Sequence, residues 1–172
     1  MRGERFQMGE LSKATGVSPQ TIKAWLHKGV VLGHKKIEAA GGTGNKRSFS
    51  FNNVMEFAAA SALLDVAFQR DSKTAFQAAH VFAHTGHDKI PNHAGERHPA
   101  FPFYEGRTLL CTSGEHTEVI QQVAVKDAFI RIRESLGGPT ALVIVDMGEV
   151  FDRVVNALGY DPRNEIAAAY QS

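Results

Sequence analysis

The sequence predicts an α+β protein of two unlike parts, a winged helix-turn-helix followed by a small C-terminal α/β unit. Three observations carry this expectation. Residues 8–29 read as two short helices separated by a glycine turn. A glycine-rich hairpin with basic arms follows over residues 35–50. Beyond a proline-containing stretch at residues 87–105, short apolar strands alternate with amphipathic helices.

The first helix is expected over about Met8 to Thr15, with Met8, Leu11 and Ala14 inward. Gly16 suits the left-handed residue that ends a helix. Ser18 can cap the free amides of a second helix, and Pro19 is tolerated at its first position. Ile22, Trp25 and Leu26 then form one apolar stripe, with Trp25 read as a core anchor, and Gly29 closes the helix. Two helices joined by a tight glycine turn are the helix-turn-helix pattern. Extended arms around residues 35–38 and 47–50, with glycines at 41, 42 and 44 between them, read as the wing.

A third helix is expected over about residues 52–69. Val54, Phe57, Ser61, Leu64 and Phe68 step by three and four along it, with Leu63 and Val66 widening the stripe. A fourth, capped by Asp71 or Ser72, would run through Phe76, Ala79 and Ala83 to a stop at Gly86. Together these apolar positions would close a core within residues 1–86. Residues 87–105, with Pro91, Pro99 and Pro102 and no periodicity, read as a connector. In residues 106–172, "GRTLLCTS" and "TEVIQQVAV" suggest a hairpin across Gly114-Glu115. "KDAFIRIRESLG" suggests a helix with Phe129, Ile132 and Leu136 inward, and "TALVIVDM" a buried strand. "GEVFDRVVNALG" is a helix ended by Gly159, and Pro162 opens a short last one. Strand order does not follow from the pattern.

Charge divides the chain in the same place. Residues 1–57 hold nine Lys/Arg against four Asp/Glu, the remainder ten against fourteen, so +5 and −4 leave a net +1. A basic module attached to a mildly acidic one fits a polyanion binder with a second task. A single cysteine excludes an intramolecular disulfide or a CxxC zinc knuckle within one chain. No apolar run approaches the roughly 20 residues of a bilayer span, and the N-terminus does not read as a signal peptide. A cytoplasmic protein without membrane association is expected.

The N-terminal motifs resemble those of the MerR family. Met8-Gly9-Glu10-Leu11 stands where that family opens its first helix, and Thr15-Gly16-Val17-Ser18 at its turn. Thr21-Ile22-Lys23 enters the recognition helix, Gly29-Val30-Val31 leaves it, and Arg47-Ser48-Phe49 matches the far wing arm. The resemblance covers roughly the first half of the chain and implies a winged DNA-binding domain. Ala24-Trp25 replaces the family's two aromatics, no long coiled-coil heptad run follows, and the paired cysteines of metal-sensing members are absent.

Candidate DNA contacts follow from that arrangement. In the recognition helix they are Ser18, Gln20, Thr21, Lys23, Ala24, His27 and Lys28; in the wing, Lys35, Lys36, Lys46 and Arg47. Lys23 and Gln20 can reach base edges, whereas the wing cations would clamp phosphates and give affinity without sequence information. His80 and His84 stand four apart with His87 close behind, a spacing that can hold zinc, but no Glu accompanies them in an H-E-x-x-H arrangement. Solvated or core-edge histidines are expected, with no metal and no cofactor. Asp146, at the end of a strand, is expected to cap the next helix rather than act as a catalytic carboxylate, and Cys111 to be buried and inert.

The reading is thus a sequence-specific transcriptional regulator rather than an enzyme. It would bind double-stranded operator DNA as a homodimer through residues 1–86, with residues 106–172 serving dimerisation or sensing. A small-molecule or protein effector at that unit is left open. Rival readings are an excision or architectural factor in recombination, and an enzyme that its N-terminal domain targets to DNA.

Overall fold

The computed structural model describes residues 1, 3–33, 47–68, 71–87, 96–122 and 128–171. Its first elements are strand β1 (Arg5–Gln7), helices α1 (Met8–Thr15) and α2 (Pro19–His27), and strand β2 (Ser48–Ser50). Helices α3 (Phe51–Val66) and α4 (Ser72–His84) follow. The C-terminal part holds β3 (Arg107–Thr112), β4 (Thr117–Gln122), α5 (Ala128–Ser135), β5 (Val143–Asp146), α6 (Met147–Leu158) and α7 (Pro162–Tyr170).

The helix ends form where their residue chemistry puts them. Gly16 closes α1 at φ 73°, Ser18 Oγ accepts the Thr21 amide at the start of α2, and Asp71 accepts the Thr74 amide at the start of α4. Gly159 ends α6 at φ 89°. Strand β1 is an addition to the sequence reading. It pairs antiparallel with β2, Phe6 opposite Phe49, so that the far wing arm is anchored to the segment before α1. The near arm, residues 35–38, and the wing tip lie outside the described residues.

Helix α3 departs from the expected one-sided stripe. Between Phe51 and Ala60 only Asn52 is not fully buried, and even Asn53 and Glu56 have no exposed surface. A helix apolar nearly all round is a central helix, and α1, α4 and α6 all pack on α3. Its C-terminal end escapes the core: Val66, expected inward, is 68% exposed.

The C-terminal sheet is antiparallel, in the order β4-β3-β5. Side chains on β3 alternate between its two faces. Leu110 joins the main core, while Leu109 and Cys111 meet Ile132 of α5 and Leu136 just beyond it on the other side. The β-branched run of β5 suggested a buried strand, and this is corrected: β5 lies at the sheet edge, with Ile144 41% exposed. The buried central strand is β3.

Within the expected connector, residues 96–105 pack into the molecule. Arg97, Ala100, Phe101 and Phe103 are buried. Phe101 packs against Phe51 of α3 (ring centroids 5.3 Å) and Phe151 of α6 (5.5 Å), and Phe51 meets Phe151 edge-on at 5.9 Å. One continuous core therefore runs from Phe6 and Leu11 to Val154 and Ala169. The core expected within residues 1–86 is thus continuous with that of the C-terminal part. Helix α6 supplies apolar surface that α1 and α3 would otherwise expose.

Candidate nucleic-acid interface

Helix α2 is fixed from below. Ile22 is fully buried, and Trp25 stacks on Phe57 (centroids 6.1 Å) and meets Phe76 edge-on (5.2 Å). Trp25 is thus the core anchor its position suggested, tying α2 to α3 and α4. With one face held, helical periodicity leaves positions i, i+3, i+4 and i+7 on the other. These are Gln20, Lys23, Ala24 and His27, all exposed, as is Lys28. Ala24, in the middle of the row, adds no bulk beyond its Cβ.

Ser18 and Thr21 lie at the start of the same helix. Their hydroxyls are 2.9 Å apart and Ser18 Oγ also accepts the Thr21 amide at 3.1 Å, so both serve the cap. Arg47 is exposed immediately before β2. Lys35, Lys36 and Lys46 lie outside the described residues. A cation missed by the sequence reading stands beside β2: Arg5, whose Nε donates to Ser48 Oγ (3.2 Å) and whose terminal nitrogen donates to Ser48 O (3.1 Å). Nothing in the sequence marked it, because β1 was not anticipated.

The chain leaving α2 toward the wing is clamped by α3. Asn53 Nδ2 donates to Gly33 O at 3.2 Å. Glu56 accepts the Leu32 amide at 3.0 Å and the Gly33 amide at 3.1 Å. A buried carboxylate needs such donors, since an unpaired charge away from water costs several kcal/mol. Glu56 is also the carboxylate that the histidine spacing lacked in sequence: His84 Nε2 lies 3.0 Å from its Oε2. His87 is apart from that pair. Its Nδ1 accepts from Arg97 Nε at 3.2 Å, and burial lowers its pKa from the ordinary 6.5, with Arg97 adding to the effect.

The two candidate chemical residues of the C-terminal part have structural surroundings. Asp146 accepts the Gly148 amide at 3.0 Å and pairs with Arg107 at 2.6 Å, capping α6 as expected. Cys111 is fully buried, and burial pushes its thiol up to about 12, far from a reactive thiolate at neutral pH.

Residues 6–70 match the family model described as MerR HTH family regulatory protein. The match spans β1 to the end of α3, and so takes in the exposed face of α2, the wing and the clamp around Gly33. No curated protein matches the chain. The N-terminal part is a MerR-type helix-turn-helix domain, and the protein is a DNA-binding regulator by that domain. No described helix is long and apolar enough to cross a membrane.

Proposed function

We propose, on the premise of that domain, that the protein is a cytoplasmic transcriptional regulator that reads operator DNA with the Gln20–Lys23–Ala24–His27 face of α2. The observation that carries this is the opposition of two faces on one short helix: Ile22 and Trp25 are held by the core while a polar, cationic row is left unoccupied by the fold. Lys23 and Gln20 take base edges, with Ser18, Thr21 and Lys28 at the backbone nearby. Lys35, Lys36, Lys46 and Arg47 clamp phosphates from the wing. The protein works as a homodimer on two half-sites. Residues 1–86 carry the DNA surface, residues 87–105 connect, and residues 106–172 supply dimerisation or sensing.

The test separates the two kinds of contact. Lys23→Ala should change which sequence is preferred, by about 1–3 kcal/mol at the position it reads. Arg47→Ala should weaken binding to all duplexes alike and reduce the salt dependence, because it releases one counterion fewer. Binding across a randomised operator library, measured at two salt concentrations, distinguishes them. If Arg47→Ala alters sequence preference and Lys23→Ala does not, the assignment of recognition helix and wing is reversed.

A further inference from the structure

Glu56, His80 and His84 converge although they come from two helices. Helix α4 places His80 and His84 one turn apart on the same side. Their rings stack with centroids 4.6 Å apart. His84 Nε2 is 3.0 Å from Glu56 Oε2, and His80 Nδ1 is 3.8 Å from Glu56 Oε1. One donor atom from each of the three lies within 4.8 Å of the other two. We propose that these three residues form a site for a divalent transition-metal ion of the zinc type.

Four features support the assignment. Two imidazoles and one carboxylate are a donor set suited to zinc and cobalt, with a fourth position left for water or another ligand. The carboxylate is already oriented by the Leu32 and Gly33 amides, the kind of outer contact that fixes a metal ligand. Room beside the donors is kept open by Gly33. A Cβ there would lie 2.5 Å from both Glu56 Oε2 and His84 Nε2, yet the backbone at Gly33 is not in the left-handed region, so space rather than conformation calls for glycine. Finally, there is a way in: the His80 side chain is 35% exposed, against 3% for His84 and 0% for Glu56.

The experiment is a titration of the full-length protein, stripped with a chelator, with Co²⁺ and then Zn²⁺. The expected result is one Co²⁺ per chain, with the visible ligand-field absorption of a low-coordinate ion, bleached when Zn²⁺ displaces it. His80→Gln, at the exposed edge, should keep the circular dichroism spectrum and lose at least about tenfold in affinity. Glu56→Gln should abolish the visible band, and if that variant does not fold, His80→Gln decides alone. No visible band at saturating Co²⁺, or equal titration of the native protein and folded His80→Gln, overturns the site. The readout involves no DNA, so its failure leaves the regulator reading where it stands.

Discussion

Gly33 shows how one missing side chain can govern both the domain's geometry and its chemistry. Its carbonyl is held by Asn53 and its amide by Glu56, so α3 sets where the chain leaves for the wing. Gly33→Ala inserts a methyl 2.5 Å from two polar atoms of buried side chains, and 2.8 Å from Asn53 Nδ2. None of these is the far end of a flexible surface chain. Overpacking of this kind costs about 1–3 kcal/mol. The expected outcome is that loss in denaturant unfolding, together with weaker binding to all DNA sequences, since the wing is displaced while α2 is untouched. A Gly33→Ala protein of native stability would mean that the clamp relaxes freely.

At the scale of elements, the C-terminal end of α4 is closed by a residue from outside the helix. Arg97, 1% exposed, donates to the carbonyls of Phe82 and Thr85 and lies over the Phe82 ring at 5.0 Å. Burial lowers its pKa to about 10, so it remains charged at neutral pH, suited to the negative end of a helix. Arg97 Nε also needs His87 Nδ1 as an acceptor. Burial and Arg97 favour the neutral imidazole, and Glu118 opposes them more weakly. With the folded pKa below the ordinary 6.5, the unfolded chain binds the extra proton first. Stability is therefore full above about pH 6.5 and falls as pH drops toward the folded value. His87→Gln should flatten that slope in unfolding curves taken between pH 7.5 and 5 (roughly the range in which histidine titrates). An unchanged slope would remove His87 from the account. Elements of this kind were only partly legible in the sequence. Caps, glycine stops and the face of α2 are local chemistry, and Ser18, Gly16, Asp146 and Gly159 announced them. The exposure of β5, the meeting of Glu56 with His84 and the burial of Arg97 depend on partners far along the chain. No period or spacing encodes those contacts.

Across the whole molecule, the shared core changes what the DNA-binding part can do by itself. Phe51 loses both Phe101 and Phe151 if the chain stops at residue 86, and α1 loses α6. Deleting even one such ring costs about 3–5 kcal/mol, a large share of a typical domain's stability. Full-length protein should thus unfold in one transition, and residues 1–86 should show no cooperative unfolding. A fragment that melts sharply would restore the picture of two separable domains. The same continuity bears on how a dimer would read DNA. With residues 96–103 packed against α3, α4 and α6, each DNA-binding part is fixed to its C-terminal part rather than tethered by a flexible linker. Under the proposal of a dimer through residues 106–172, the two recognition helices are then held at one separation and one angular relation. A flexible tether would tolerate changed half-site spacing through effective concentration alone, whereas a rigid one would not. Inserting about 5 bp, half a helical turn, between the half-sites rotates one of them to the far face of the duplex. Binding should fall to the level of a single half-site, and a full-turn insertion of about 10 bp should not rescue it, because the distance no longer matches. Gel-shift titrations on the three operators, with sedimentation to count chains, provide the measurement. Equal affinity for all three would show that the two DNA-binding parts move independently, and the dimer contact would have to be sought outside the rigid body described by the shared core.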